Sequence, residues 1–314
     1  MTNTPFTTDA IEKIVRQAKR KSIGRTIISS TIAVIVLGTI LIMCNGKIVN
    51  RAYNKAMQEN QLLYKISQPN VKRNGVTFDY GILSGSYAYY KYKVIEDKVV
   101  PWGEEQQTFN VFGHNNPSTE FDNIRVGENE ETYRNYNPIN GQRSMLFYHP
   151  WFDYVTMEND LDLIHAAPDD AVMEVALSFD QPYSVDEVQA FFPLHKKISW
   201  YWANDYNQND KKQLQGLHDS GNTATHVYGF LATTEVWEGS KPQTEQDYLR
   251  LVNELKNSGG YDHIVNRLLK SAKQNEKEGL ILGVVITGTK EELLALEQDH
   301  HIRAISLGAV AREW

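Results

Sequence analysis

The chain has 314 residues, 41% hydrophobic and 23% charged, with one cysteine, Cys44, and a formal net charge of −7. That much apolar side chain supports a buried core and excludes a disordered or collagen-like polymer. A single cysteine excludes an intramolecular disulfide and any cysteine-built zinc or iron–sulfur centre within one chain.

Residues 1–25 form a basic arm in which Lys13, Arg16, Lys19, Arg20, Lys21 and Arg25 stand against Asp9 and Glu12. Asp9 followed by Glu12 is a helix-start signal, and Ile11, Ile14, Val15 and Ala18 fall on one helical face, so the spacing predicts a short amphipathic helix. Those four side chains are the candidate contact for a cytoplasmic protein; the competing reading is a basic helix resting on anionic lipid.

Residues 26–46 carry no charge and are dominated by Ile, Val and Leu. At about 1.5 Å per residue they reach about 30 Å, the thickness of a hydrocarbon core, which predicts a transmembrane helix. The Ser and Thr residues within it are tolerable because their hydroxyls can bond back to helix carbonyls. A cleaved signal peptide is the weaker reading: no small-x-small site follows the run, and Met43 occupies the position before Cys44 where a lipoprotein signal needs a small residue. The membrane-flanking cations are Lys19, Arg20, Lys21 and Arg25 before the span and Lys47 after it. Because residues 1–26 hold a net charge of +4, the remainder carries −11. Positive residues stay inside, which predicts a cytoplasmic N-terminus and an extracellular C-terminal body in the cell membrane. An acidic body argues against nucleic acid as a partner.

Residues 47–69 keep a helical pattern through Ile48, Tyr53, Met57, Leu62, Leu63 and Ile66 and predict a juxtamembrane continuation of the span that Pro69-Asn70 stops. From 70 to 165 the texture is Tyr, Phe, Val and Thr with Gly and Asn punctuation, predicting a β-rich membrane-proximal domain. Residues 166–314 contain two β-α-β patterns. One runs from AVMEVALSF through a Ser184–Glu187 capping box to KISWYWA; the other runs from LILGVVIT through a Thr289 start to IRAISLGAV. Right-handed crossovers would make the strands of each unit parallel, in a ferredoxin-like split arrangement. A polar surface loop at 205–223, a strand THVYGFLATT and helices at 244–257 and 260–277 are inserted between them. The predicted fold class is α+β on a single N-terminal transmembrane helix.

Phosphate-cradling, dinucleotide-binding and zinc-protease motifs are lacking in the sequence, and Gly81-Ile82-Leu83-Ser84-Gly85 reads as a turn rather than a nucleophile elbow. Asp160, Asp162, His165, Asp169 and Asp170 have metal-ligand chemistry but not the spacing of a calcium loop, so no metal and no catalytic residues are predicted. His300 and His301 after Asp299 suit a pH sensor by type, yet a helix C-terminus favours histidine on dipole grounds alone. Trp200 and Trp202 are placed on one strand face with Ile198, opposite Ser199 and Tyr201, as core rather than an aromatic shelf.

The segments EVALSFDQPYSVDEVQAFFP (174–193) and ISWYWANDY (198–206) resemble the C-terminal domain of the sigma factor regulator family; the span, FNVFGH (109–114) and SMLFYHP (144–150) are similar to its N-terminal region. The resemblance implies a membrane-bound regulator of an extracytoplasmic-function sigma factor, without enzymatic activity or cofactor. The implied inner partner is the sigma factor or a companion membrane regulatory subunit. The arm is shorter than the helical bundle with which a fully equipped anti-sigma factor grips its partner, leaving two readings: a second subunit, or the face at Ile11, Ile14 and Val15 as a minimal contact. A membrane-anchored extracellular enzyme and an envelope assembly protein are the alternatives from other classes.

Overall fold

The computed structural model describes residues 8–113, 115–118, 124–127, 134–154, 157, 159–215, 227–233, 241–259, 261–275 and 277–312. Its first element is α1 (Thr8–Ser67), 60 residues in one unbroken helix, about 90 Å at 1.5 Å per residue. The predicted arm helix, span and juxtamembrane helix are therefore segments of one rod. The hydroxyls of Thr26, Ser29, Thr31 and Thr39 each donate to the carbonyl four residues earlier, which satisfies those four groups within the helix itself. The helix ends before Pro69, where Asn70 takes a left-handed φ of 51° and the Tyr64 hydroxyl donates to the Val71 carbonyl.

The chain then builds β1 (Lys72–Tyr80), β2 (Ser84–Ile95), β3 (Lys98–Asn110) and β4 (Asn115–Ser118), an antiparallel sheet in that order. Strands β5 (Ile124–Val126) and β6 (Arg134–Tyr136) pair with one another. Residues 137–154 and α2 (Leu161–Ala166) lead into the second sheet.

That sheet contains β7 (Val172–Tyr183), β8 (Ile198–Ala203), β9 (Gly229–Leu231), β10 (Ile281–Thr289) and β11 (Ile302–Ala311), in the order β11-β7-β10-β8-β9. Every neighbouring pair is antiparallel. Strands β7 and β8 flank β10 and are thus parallel to one another, as are β10 and β11 across β7. The connecting helices are α3 (Val185–Phe191), α4 (Gln208–Gln215), α5 (Glu245–Ser258), α6 (Asp262–Asn275) and α7 (Lys290–Leu294). Capping boxes open α3 at Ser184–Glu187, α5 at Thr244–Asp247 and α7 at Thr289–Glu292, each satisfying two orphan helix donors. The two Ser184 hydrogen bonds hold the Glu187 carboxyl below its ordinary pKa. The fold is α+β.

Met173, Val175, Leu177 and Phe179 of β7 face the main core under the helices, while Ala176 faces a second core with Phe147, Trp200, Trp202, Leu282 and Val285. The aromatic strand departs from the expected alternation. Pairing steps from Val285–Trp200 to Ile286–Ile198, leaving Ser199 as a bulge. Ile198 therefore joins Tyr201 in the main core, and the two tryptophans lie on the opposite face. Phe147 covers them, its ring centroid 5.2 Å from that of Trp202. The tryptophans are core, as expected, but Ile198 is not on their face.

The segment expected as a bare polar loop after 205 instead forms α4, with Asn204, Asp205 and Lys211 buried; its residues 216–223 lie outside the described residues. Lys211 is neutralised there by Glu278 at 2.6 Å and donates a further hydrogen bond to Asn275 at 3.0 Å. Burial pushes the Asp205 carboxyl up to about 7 against the pull of Arg267.

Gly229 is required by close approach, since a Cβ there would collide with the Tyr201 carbonyl and the Trp200 ring. Gly229→Ala is expected to cost about 1–3 kcal/mol through overpacking, read as a lowered denaturation midpoint with an unchanged m-value.

Candidate functional site

The strongest functional geometry is the junction where α1 enters the folded body. Apolar residues on its C-terminal half lie at helical spacing, so one rod is gripped at two levels. Val49, Tyr53 and Ala56 pack with Tyr87, Tyr89 and Phe109 of the first sheet, whereas Leu62 and Ile66 enter the main core of the second. Burying a side chain such as Leu62 or Ile66 contributes about 1.5–3 kcal/mol. The helix contacts β2, β3, β9 and α5, and so touches both halves of the body.

A polar clamp fixes its rotation. Arg73 on β1 donates to both Glu105 oxygens at 2.6 Å and to Asn60 Oδ1 on α1 at 2.5 Å. Its guanidinium lies 3.7 Å from the Tyr64 ring centroid, also on α1. This planar fork suits a bidentate, stacked site that lysine cannot reproduce. Burial works to raise the Glu105 carboxyl, but Arg73, Lys91 and the Gln107 amide outweigh it and hold the group below the ordinary carboxylate range.

Two further ties join the sheets. Glu174, near the start of β7 and fully buried, accepts from Lys93 of β2 at 2.7 Å and from Asn70 just past α1 at 2.7 Å. At the β2–β3 turn, Glu96 accepts from Lys197 at 2.7 Å and from Thr287 at 2.9 Å. Ile95 and Val100 share an apolar cluster with Val172, Ala309 and Ala311. A displacement of either sheet is therefore imposed on the last turns of α1.

At the other end of the helix, Ile11, Ile14 and Val15 are 49%, 60% and 57% exposed. Together with exposed Ala18 they form one face without a partner among the described residues, and Arg16 pairs with Glu12 at 3.4 Å. Lys19, Arg20, Lys21, Arg25 and Lys47 are all exposed. Between these ends the apolar window has no buried residues and is long and apolar enough to cross a membrane.

The acidic cluster does not converge. Buried Asp160 accepts from the Leu307 amide at 2.8 Å and from Arg143 at 3.2 Å, pinning the 143–160 segment to β11. Asp169 pairs with Lys290 and Asp170 with Arg312, while Asp162 and His165 stay exposed. Asp299, His300 and His301 do bring one ligand-type atom each within 4.8 Å of one another. They sit past the end of α7 at Leu294, so helix-end charge is not what places them. Asp299 Oδ1 engages the His301 ring at 2.8 Å, and that ring stacks on Phe191 at 3.9 Å. His149 is driven down to about 4 by burial and remains neutral, packed 5.4 Å from Trp202 between ring centroids.

Sequence reasoning found the exposed arm face but missed Arg73, Glu105, Lys93 and Glu174. One signal was available: a glutamate in the centre of AVMEVALSF, inside an otherwise apolar strand, requires a buried cation.

Taken together, an α+β body is gripped by the one helix among the described residues that is long and apolar enough to cross a membrane, the architecture of a single-pass membrane anchor. Residues 12–100 match the family model for the sigma factor regulator N-terminal region, and residues 164–309 match that for the sigma factor regulator C-terminal region. The chain belongs to the sigma factor regulator family, whose role is regulatory rather than catalytic. No curated protein and no solved structure matches it.

Proposed function

We propose that the chain is a single-pass regulator of an extracytoplasmic-function sigma factor, with the arm in the cytoplasm and the folded body outside. The observation that carries this reading is the continuity of α1. One helix runs from the exposed Ile11, Ile14, Val15 and Ala18 face to Leu62 and Ile66 in the core of the body. The concentration of cations before the span supports the orientation. A signal acts on the arm only if it favours one arrangement of the α1 junction over another, since a ligand indifferent to both shifts nothing.

In this reading residues 1–25 are the cytoplasmic arm, 26–46 the span, 47–69 the juxtamembrane helix, 70–165 the proximal domain and 166–314 the distal one. The strand order around β7, β10, β8 and β11 supports a ferredoxin-like repeat in the distal domain, with α4, β9, α5 and α6 as its insertion. The arm contacts the sigma factor itself or a companion membrane subunit.

The test is co-purification of inner partners with the full chain. Replacing Ile11, Ile14 and Val15 together by Asp is expected to lower sigma factor recovery at least tenfold while the body keeps its unfolding midpoint. Undiminished recovery would overturn the arm as the contact. Recovery of a second membrane subunit, itself lost with the triple variant, would make that subunit the direct partner.

A further inference from the structure

Resting on the reading of residues 26–46 as the span, we infer that the first sheet has a second foothold in the bilayer. The tips of the β1–β2 and β3–β4 turns insert Ile82, Leu83 and Phe112 into the outer-leaflet lipid surface.

The position of these tips is fixed by α1. Asn45 is next to last in the uncharged run, and its side chain clasps the β1–β2 turn twice. Its Nδ2 donates to the Gly81 carbonyl at 3.2 Å, and its Oδ1 accepts from the Leu83 amide at 2.9 Å. Farther into the body along α1, Asn50 accepts from the Tyr80 hydroxyl at 3.3 Å, and Tyr53 packs on Phe78 and Tyr80. Strand β1 thus descends along α1 and turns where the hydrocarbon ends. The neighbouring tip is tied to the same level, because the Val111 amide donates to the Leu83 carbonyl at 3.0 Å.

What these turns present there is unusual for a surface in water. Ile82 is 85% exposed and Phe112 75%, with Leu83, Phe78 and Tyr80 also exposed. A turn of Gly81-Ile82-Leu83-Ser84 gains nothing from two aliphatic side chains at its apex unless an apolar medium receives them. That medium adjoins them: Leu41, Ile42 and Met43 of α1 are exposed one turn below Asn45. Lys47 and Arg51 extend the same level as exposed cations suited to phosphate headgroups, and Tyr80 has the amphipathic character favoured at a membrane interface. Lipid is therefore the occupant that continuity with the span selects. Two footholds, helix and sheet, fix the tilt of the body against the membrane plane, so that movement of the first sheet becomes rotation or tilt of α1 rather than free swinging of the whole body.

The test uses the full chain in nanodiscs of phosphatidylcholine and phosphatidylglycerol, with Cys44→Ser as background and an environment-sensitive fluorophore at one introduced cysteine. The sites are Ile82→Cys, Phe112→Cys, Val99→Cys and Leu37→Cys. Val99 is 65% exposed at the opposite end of β2 and β3, on the order of 35 Å away at about 3.3 Å per residue. Spin-labelled lipid is expected to quench positions 82 and 112 at least half as strongly as position 37 and to leave position 99 at background. Quenching at 37 with 82 and 112 no different from 99 would overturn the foothold alone. No quenching at 37 would remove the span and the foothold together. All three outer labels lie on exposed turns or strand ends, and an unchanged unfolding midpoint of each labelled variant confirms that the body is intact.

Discussion

Glu174→Ala is expected to lower the stability of the folded body by about 3–5 kcal/mol, because it strands Lys93 as a buried ammonium. Lys93 is 3% exposed and lies 4.1 Å from the Trp102 ring centroid. The same change leaves Asn70 without its 2.7 Å partner at the point where α1 gives way to β1. At roughly 2–4 °C per kcal/mol for a body of this size, thermal unfolding of the full chain in detergent should fall by about 6–20 °C. Lys93→Met should be damaging for the mirror reason, an unpaired buried carboxylate. The double variant Lys93→Met with Glu174→Met is expected to recover most of the loss, since a well-packed apolar pair often equals or exceeds a buried ion pair. A double-mutant cycle then measures the coupling across the two sheets. Additive losses would show that the pair does not join them.

The same residues explain what could be read from the sequence and what could not. Local signals were legible wherever one short segment decides the structure. The uncharged run marked a helical stretch long and apolar enough to cross a membrane, Ser184 with Glu187 the start of α3, and Pro69-Asn70 the end of α1. Strand periodicity also located the two β-α-β units and their partners. It failed at Ile198, because a bulge at Ser199 shifts alternation by one residue and depends on pairing with Val285 and Ile286 of β10, far away in sequence. The polar stretch after 205 read as solvent-facing because composition does not reveal that Lys211 finds Asn275 and Glu278 across the body. The junction is non-local for the same reason: Arg73, Asn60 and Glu105 come from β1, α1 and β3, and only the assembled sheet brings them together. The arm face at Ile11, Ile14 and Val15 was legible as a helical stripe, and the structure leaves it exposed.

Arg73→Ala is expected to reverse the pH dependence contributed by Glu105. In the native protein the Glu105 carboxyl sits below its unfolded value, so its stabilisation is present above the unfolded pKa of about 4.3 and is lost as pH falls through the folded value. Without Arg73 the burial effect, already the largest single influence, raises the carboxyl despite Lys91 and Gln107. The folded group then binds its proton more tightly than the unfolded one, and stability declines as pH climbs from about 4.3 through the raised folded value. The expected loss is about 3–5 kcal/mol at pH 8, the cost of a stranded buried charge, and distinctly less at pH 5. Denaturation midpoints at the two pH values check this, and an equal loss at both would refute the role assigned to Glu105. Arg73→Lys keeps the charge but cannot hold both Glu105 oxygens, Asn60 and the Tyr64 face at once, so it should restore the pH profile better than the rigidity of the helix. Hydrogen exchange over α1 residues 57–67 separates the two effects. Protection there should fall in both variants, because Asn60 and Tyr64 lose the group that fixes the rotation of α1 against the first sheet. Under the proposed regulatory reading, a rod free to rotate at that end would no longer impose the position of the sheets on the arm face at Ile11, Ile14 and Val15.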